Sequence, residues 1–388
     1  MLTKTYPGIP KRFPDRFPAD FDNRVRHFGF FTREEVEQNA GKLLMLDIDF
    51  GRYCSLHCPG CFRRENEVDD TAESDLSYAE LIEVVDQARG LGLQSIKICG
   101  AGEPTEHHRF LQFVREMTAR GVGVACFTKG QVLGSDQKTK QFNQRYGITT
   151  TKQLCEELAQ LKVSFLLSFQ SFTHKTQNQL VGQPGHTVVR NRALANLVAA
   201  GFNYPLPTRL ALEVGPITRT NYEEVPEIYV WGRERNMFVI PNFLMVSGKQ
   251  IDRPFLAKHD LTEQEKIDLF VRIYSWNIRH GLQTLEQIEK EGISCMPGIH
   301  PCNQIACGLY ITANGNVVGC PGFGGIEDIQ GNVKQESLSE IWRKSQGRRE
   351  WAGRFNCLCP PKDGITIPQG IYEKVLAELQ NLFSSSED

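Results

Sequence analysis

Short apolar runs alternate with longer amphipathic stretches between residues 42 and 247 of the chain. The apolar runs predict six strands, at residues 42–50, 95–100, 122–128, 162–170, 208–215 and 238–246. The amphipathic stretches predict five helices between them, at residues 77–92, 108–121, 151–161, 186–201 and 221–236. Such alternation predicts parallel βα units, and largely apolar strands predict a sheet covered on both faces. Six strands are too few for a closed eight-stranded barrel, so we expect an open, partial α/β barrel that binds ligands at the carboxyl ends of its strands.

The flanking segments follow different patterns. Residues 1–41 are proline-rich and predict an irregular extension followed by a short helix. A polar stretch at 129–147 is longer than a usual βα loop, which makes it a candidate lid or substrate contact. After the barrel segment, 42–247, the pattern predicts three further segments: a helical linker at 248–293, a cysteine-rich domain at 294–365, and a final helix with a polar tail at 366–388.

Charge and hydropathy exclude some classes of partner. The chain has 388 residues, and its 44 Lys and Arg nearly balance its 46 Asp and Glu, for a net charge of −2. This balance gives no indication of nucleic acid or an anionic membrane as partner. Its apolar runs are too short to cross a bilayer, and the first residues lack the apolar segment of a signal peptide. We therefore expect a cytoplasmic protein.

Twelve cysteines are more than such a protein needs for packing. Three lie within residues 54–61, six within 295–359, and three are scattered. In a chain without a secretion signal, clusters of this kind favour metal or redox chemistry over disulfides. The scattered thiols, Cys99, Cys126 and Cys155, fall within predicted strands or helices, where we expect small buried side chains.

The first cluster has the spacing C-x3-C-x2-C, with Cys54, Cys58 and Cys61 in the loop after the first predicted strand. A structural zinc site uses four protein ligands, and no fourth cysteine lies nearby. Three thiolates would instead leave one iron of a [4Fe–4S] cluster open to a substrate or cofactor. A zinc loop or an incidental cluster remains the alternative.

This motif, in this position, resembles the signature of the radical S-adenosylmethionine (SAM) superfamily. The resemblance implies a partial (β/α)6 barrel and a [4Fe–4S] cluster whose open iron binds the amino and carboxylate groups of SAM. It also implies reductive cleavage of SAM to a 5′-deoxyadenosyl radical, which takes a hydrogen atom from a substrate carbon. The electron would come from an external donor such as flavodoxin or ferredoxin.

The same resemblance assigns SAM contacts. "ICGAGEPT" at 98–105 resembles the family's Gly-Gly-Glu element, in which Gly100 and Gly102 allow close approach of the backbone and Glu103 accepts from the SAM ammonium. Further SAM contacts would be Thr128, Ser168 and Gln170, the last two of which are equally well explained as ordinary strand-end residues. Gly60 stands where the family usually has an aromatic residue against adenine, so the adenine contact falls to the Gly60 backbone or to Phe62.

The second cysteine group resembles the SPASM/twitch auxiliary-cluster domain. "LYITANGNVVGC" at 309–320 predicts a β-hairpin around Asn314 and Gly315, with cysteines on either side. The resemblance implies one auxiliary [4Fe–4S] cluster held by Cys302, Cys307, Cys320 and one or more of Cys357 and Cys359. Cys295 is either a further ligand or not a ligand at all. The presence of a second auxiliary cluster is left as an alternative. The alternative is a zinc ribbon.

The implied function is hydrogen-atom abstraction from a small molecule such as an aminosugar, cyclitol or nucleoside, with oxidation or epimerisation assisted by the auxiliary cluster. A peptide-modifying maturase is the alternative within this class. A zinc-binding or electron-transfer module without SAM chemistry is the alternative outside it. Asp47 and Asp49 in the first strand are candidate interior acids or members of structural ion pairs.

Overall fold

A nine-stranded sheet organises the chain in the structure, a computed structural model that describes residues 4–63, 75–294, 296–299, 302–322, 328–345, 359 and 361–384. Its strands are β1 (Met45–Ile48), β2 (Ser95–Ile98), β3 (Gly123–Thr128), β4 (Ser164–Ser168), β5 (Leu210–Glu213), β6 (Phe238–Ile240), β7 (Gly308–Ile311), β8 (Asn316–Val318) and β9 (Gly331–Asn332). Their order is β6-β5-β4-β3-β2-β1-β7-β8-β9. Strands β1 to β6 pair in parallel, as expected for a partial α/β barrel, and this prediction of the fold is confirmed.

Helices connect the strands and cover the sheet. They are α1 (Arg33–Gln38), α2 (Tyr78–Gly90), α3 (Phe110–Ala119), α4 (Gln131–Gly134), α5 (Asp136–Asn143), α6 (Thr151–Gln160), α7 (His174–Val181), α8 (His186–Ala199), α9 (Val225–Arg233), α10 (Arg253–His259), α11 (Glu263–His280), α12 (Leu285–Glu291), α13 (Gln304–Cys307), α14 (Leu338–Lys344) and α15 (Ile371–Ser384). Ser77 and Glu80 form the expected capping box at the start of α2. Among the described helices, none is both long enough and apolar enough to span a bilayer.

All six predicted barrel strands are present, but each is shorter than its apolar run. The run at 238–246 gives a strand of only three residues, Phe238–Ile240. Pro241 follows directly and has no N–H to donate to a neighbouring strand, so pairing stops there. Helix α7 lies in a polar segment that carried no clear amphipathic signal.

Side chains of the strands alternate between two apolar layers. Those on the outer face, including Phe165, Leu167 and Leu212, pack against the helices. On the inner face, a smaller cluster joins five strand residues to the N-terminal segment: Ala125, Leu166, Ala211, Phe238 and Ile240. Phe28 and Phe30 of that segment complete this cluster. The N-terminal segment, expected to be an irregular extension, therefore fills the interior of the partial barrel.

The hairpin of the cysteine-rich region joins the barrel sheet, which the sequence pattern did not indicate. Strand β7 pairs in parallel with β1, and β8 returns antiparallel to it. The Asp49 carboxylate accepts hydrogen bonds from the Tyr310 hydroxyl and the Ala313 amide. Asp49 is thus a structural residue that fixes β7 to β1. The domain boundaries expected from the sequence, after residues 41, 247, 293 and 365, remain a prediction.

The polar stretch at 129–147 is folded rather than extended. It forms α4 and α5, and α4 packs so closely on α8 that a Cβ atom at Gly134 would lie 2.1 Å from the Val189 carbonyl oxygen. This stretch is therefore a helical insertion, and it contacts the cysteine motif through Lys138 of α5.

Candidate functional site

A cavity of about 770 Å³ lies at the carboxyl ends of the parallel strands. The loop after β1, residues 54–61, forms part of its wall, and we call it the Cys loop. The three thiols of this loop, Cys54, Cys58 and Cys61, all line the cavity. The residues expected to contact SAM line it as well: Gly60, Phe62, Gly100, Gly102, Glu103, Thr128, Ser168 and Gln170. The structure thus brings both predicted groups of residues around one space.

A buried carboxylate anchors the start of the Cys loop. Glu106 is 2% exposed, and its side chain accepts hydrogen bonds from the Ser55 amide at 2.8 Å and the Ser55 hydroxyl at 2.6 Å. Lys138 of α5 donates to the same Ser55 hydroxyl at 2.8 Å and forms an ion pair with Glu106 at 2.5 Å. The helical insertion therefore fixes the Cys loop through Lys138.

Replacement of Glu106 by Gln is expected to loosen this loop. It removes the buried negative charge that Lys138 and the two Ser55 donors share, at a cost of about 1–3 kcal/mol in stability. We expect a lower melting temperature, measured anaerobically, and faster loss of iron from the reconstituted protein in air. Glu157→Gln is the matched control, because the Glu157–Arg115 pair is partly exposed and contributes little. An E106Q protein that keeps its iron as well as E157Q does would contradict this role.

The far end of the Cys loop is held by the segment after β6. The Gln250 side chain donates to the Gly60 carbonyl at 2.6 Å and accepts from the Met245 amide at 2.6 Å. A Cβ atom at Gly60 would lie 2.9 Å from Cζ of Phe255, in α10. The small residue at position 60 therefore has an aromatic ring beside it, supplied by a distant part of the chain.

The Gly100–Glu103 turn lies directly against the Cys loop. Gly100 has φ +122°, a conformation that side chains rarely permit. The Gly102 amide donates to the Gly51 carbonyl at 3.0 Å, and the Glu103 amide donates to the Tyr53 carbonyl at 2.8 Å. A Cβ atom at Gly102 would lie 2.3 Å from the Tyr53 carbonyl oxygen. Only glycine at position 102 lets the two loops meet in this way.

Hydrogen bonds hold the Glu103 carboxylate in the cavity wall. Its Oε1 accepts from the hydroxyls of Thr105 at 2.6 Å and Thr128 at 2.5 Å, and its Oε2 accepts from the Lys129 amide at 2.8 Å. Burial raises the pKa of Glu103, and these donors partly offset that effect. A carboxylate oxygen can accept two hydrogen bonds, so Oε2 retains a lone pair for a ligand. Thr128 acts on Glu103, which gives it a positioning role.

Ser168 and Gln170, the two predicted contacts at the end of β4, differ in their surroundings. The Gln170 side chain donates to the Gly215 carbonyl at 2.9 Å and accepts from the Gln177 side-chain Nε2 at 2.6 Å. These bonds explain Gln170 as a structural residue at the cavity edge. Ser168 pairs in register with Glu213 of β5, so the two side chains lie next to each other at the strand ends.

Several charged side chains of the cavity wall were absent from the sequence-based list of SAM contacts. Among them are three buried side chains that belong to strands: Asp47 in β1, Lys97 in β2 and Glu213 in β5. Lys97 lies 3.2 Å from Asp47 and donates to Gln304 at 3.0 Å. Burial raises the pKa of Asp47 to about 6, and Lys97 opposes that rise. The signal in the sequence was a charge at an inward position of an otherwise apolar strand.

The second cysteine group reaches the same cavity. Cys302, Cys320 and Cys359 line it, whereas Cys307 is buried and its thiol donates to the Asn303 carbonyl. Two other predicted ligands lie outside the described residues: Cys295 and Cys357. Within the described ranges, no three His, Cys, Asp or Glu side chains are arranged to bind a single metal ion.

The scattered thiols divide into two kinds. Cys126 and Cys155 are buried in the core, which confirms the prediction for both. For Cys99 the prediction is wrong, since this residue is half-buried and lines the cavity. Strand β2 ends at Ile98, so Cys99 already belongs to the loop at the strand end.

An iron–sulfur cluster and SAM each require particular donors and space in the cavity. Thiols from one loop face a cavity large enough for a cofactor, and the close Gly102 contact shapes its wall. Glu103 keeps a lone pair within that wall, which suits an ammonium group. Three thiolates suit a [4Fe–4S] cluster, because they leave one of its four irons open to a ligand. The residues present fit both groups.

Comparisons with known proteins agree with this geometry. One family model, described as the radical SAM superfamily, matches residues 48–229, and a second, described as the SPASM iron–sulfur cluster-binding domain, matches residues 302–360. A relative from Pyrococcus furiosus, the tungsten-containing aldehyde ferredoxin oxidoreductase cofactor-modifying protein, is 24% identical over 314 residues, which cover 74% of this chain and 78% of that protein.

Solved structures show the same fold. Streptococcus suis SuiB bound to S-adenosylmethionine has a TM-score of 0.54 at 19% identity, covering 80% of this chain and 68% of that one. The anSMEcpe protein with bound AdoMet has a TM-score of 0.60 at 13% identity, covering 87% and 93% of the two chains. The family models, by themselves, show that the chain carries a radical SAM domain followed by a C-terminal SPASM domain.

Proposed function

We propose that this enzyme reductively cleaves SAM and abstracts a hydrogen atom from a carbon of a small polar molecule, with an auxiliary cluster assisting its oxidation or epimerisation. One observation carries the proposal. The Cys loop, the Gly100–Glu103 turn and three SPASM cysteines all line one cavity. A substrate there would lie within reach of both cysteine groups.

The Cys loop would hold the first cluster through Cys54, Cys58 and Cys61. When bound, the reduced cluster and SAM supply a 5′-deoxyadenosyl radical that takes a hydrogen atom from the substrate. The chain provides the fixed geometry, because Glu106 and Gln250 hold the two ends of the loop. A ligand position fixed in advance lowers the entropy lost when cofactor and substrate meet.

Glu103 would accept a hydrogen bond from the SAM ammonium through its free Oε2 lone pair. Thr105 and Thr128 keep its carboxylate from rotating, since both donate to Oε1. Gly60 and Phe62 lie at the other side of the Cys loop and would contact adenine. Phe255 of α10 backs Gly60 and would stiffen that contact.

The auxiliary cluster would be held by Cys302, Cys320 and Cys359 together with further cysteines of the predicted set. Ligation by Cys307 would require its thiol to leave the Asn303 carbonyl and turn toward the cavity. The electron partner of the enzyme in the cell would be a small redox protein such as flavodoxin or ferredoxin. The same protein would supply the electron for SAM cleavage.

Cavity size supports a small substrate. About 770 Å³ must accommodate SAM as well, which leaves room for a small molecule or a single inserted side chain. The name of the Pyrococcus relative, a cofactor-modifying protein, supports the small-molecule reading. SuiB has been solved with its precursor peptide SuiA on the same fold, so a peptide maturase is the second candidate.

Anaerobic reconstitution tests the proposal. We expect about eight irons per chain, for two [4Fe–4S] clusters. Reduction with dithionite in the presence of SAM should release methionine and 5′-deoxyadenosine, measured by liquid chromatography and mass spectrometry. A protein that instead takes up zinc and leaves SAM intact would be a metal-binding or electron-transfer module, and the proposed function would be wrong.

A further inference from the structure

Glu213 ends β5 with one carboxylate oxygen that has no hydrogen-bond partner among the residues that the structure describes. Its side chain is 8% exposed and lines the cavity. Oε1 accepts from the Gly215 amide and from the Asn242 side chain, each at 3.1 Å. Oε2 is buried and accepts no hydrogen bond from the described part of the chain. A buried carboxylate oxygen without a donor is unfavourable, so this arrangement indicates a ligand that supplies one.

Two ammonium groups flank Glu213. Lys129 and Lys362 both line the cavity and lie close enough to lower the pKa of the carboxyl group. Lys362 is itself fixed, because its Nζ donates to the Asn242 side chain at 3.3 Å and the Phe243 carbonyl at 3.2 Å. Lys362 follows Cys359 closely in sequence, so this group of polar residues connects the barrel to the SPASM region.

Glu213 lies apart from Glu103, the predicted contact for the SAM ammonium. The Glu103 carboxylate is bound at the end of β3 by the Thr128 hydroxyl and the Lys129 amide, whereas Ser168 ends β4 and Glu213 ends β5. Neighbouring strands are about 4.8 Å apart, so Ser168 lies roughly 5 Å and Glu213 roughly 10 Å along the sheet from the Glu103 carboxylate. Glu213 is therefore one strand farther from Glu103 than Ser168 is, on the side of the cavity toward β6.

We propose that Glu213 binds a hydroxyl group of the substrate, which makes the substrate a small polyhydroxylated molecule. This inference rests on the proposed function and adds the substrate class to it. Oε2 forms the new hydrogen bond, while Asn242 and Gly215 keep the carboxyl group oriented. Binding at this point fixes the substrate in the cavity that the Cys loop also lines.

The charges around Glu213 favour a hydroxyl over an ammonium donor. A cationic group would be repelled by Lys129 and Lys362, whereas a neutral hydroxyl is not. Burial also raises the pKa of Glu213 to about 7, so its protonated form is well populated near neutral pH. A hydroxyl both donates and accepts, and therefore pairs with either form, whereas an ammonium pairs only with the carboxylate.

Calorimetric binding of three uncharged probes to the reconstituted, SAM-loaded protein tests the proposal: myo-inositol, uridine and D-glucose. We expect the wild type to bind at least one of them, and Glu213→Ala to weaken that binding by about 10- to 100-fold, as for loss of a buried hydrogen bond to a charged group. Glu213→Gln, which keeps an acceptor oxygen, should lose less probe affinity than Glu213→Ala does. Glu156→Gln, an exposed position on α6, is the control.

Each other outcome overturns the proposal. If the wild type binds none of the probes, the polyhydroxylated class is wrong. If E213A binds them as well as E156Q does, Glu213 is not the contact, and if SAM affinity falls as far as probe affinity, the residue belongs to the SAM site. Iron content and melting temperature identify a variant that misfolds. If E213A misfolds, the probe affinity of E213Q relative to E156Q decides whether Glu213 is the contact. SAM cleavage by the wild type without any probe tests the proposed function separately.

Discussion

Replacement of any one of Cys54, Cys58 or Cys61 by Ala is expected to abolish formation of 5′-deoxyadenosine from SAM. All three thiols line the cavity from one anchored loop, and a cluster with only two of them would be neither stably held nor correctly placed. Iron content should fall by about four atoms per chain, while the auxiliary cluster remains. The measurements are iron and sulfide analysis together with product detection after reduction with dithionite.

Cys155→Ala is the matched control for these variants. Cys155 is buried in α6 within the apolar core, away from the cavity. Its replacement should lower stability slightly through loss of packing and leave both iron content and SAM cleavage at the wild-type level. Wild-type SAM cleavage by the C58A protein would show that the Cys loop does not carry the reaction.

Replacement of Gly102 by Ala should cost the enzyme most of its SAM binding. The added Cβ atom would lie 2.3 Å from the Tyr53 carbonyl oxygen, so the turn must move away from the Cys loop. That movement breaks the bonds from the Gly102 and Glu103 amides to Gly51 and Tyr53, and displaces the Glu103 carboxylate. We expect SAM affinity to fall by at least about tenfold, equivalent to ~1.4 kcal/mol. Equilibrium dialysis of the reconstituted, unreduced protein would measure it.

Gly90→Ala provides the control for this backbone substitution. A Cβ atom at Gly90, the last residue of α2, would have no atom within 4 Å. Alanine also favours the helix over glycine, by up to about 1 kcal/mol, so stability should stay the same or rise slightly. Equal SAM affinity in G102A and G90A would mean that the turn does not need to approach the Cys loop so closely.

Much of the site could be predicted because its signals are local in the sequence. The C-x3-C-x2-C spacing and the Gly-x-Gly-Glu turn each follow an apolar strand, and parallel strands bring their carboxyl ends to one edge. That argument alone placed Cys54 and Glu103 near each other, and the structure has both in one cavity wall. The hairpin around Gly315 was predictable for the same reason, since its turn residues and arms are contiguous.

Contacts between distant segments could not be predicted in this way. Glu106 and Lys138 bind Ser55 although they lie 51 and 83 residues away from it in the sequence. A hydrophobic pattern along the chain gives no information about hydrogen bonds between such distant residues. The sequence left Gln170 as either a SAM contact or an ordinary strand-end residue, and it could not indicate the hydrogen bonds that join its side chain to Gln177 and Gly215. Cys99 looked buried because its strand run was apolar, but the strand ends one residue earlier.

The partial α/β barrel, the two cysteine groups and the chemistry they imply could be predicted from strand period, helix period and ligand spacing, because these are properties of neighbouring residues. The folded chain was needed to see that the SPASM hairpin extends the barrel sheet through β7, that the N-terminal segment fills the barrel interior, and that Glu213 lines the cavity with an oxygen that has no donor among the described residues. These features depend on which segments pack together. Which segments pack together depends on burial and hydrogen bonding over the whole chain, so it cannot be predicted from one short stretch of residues.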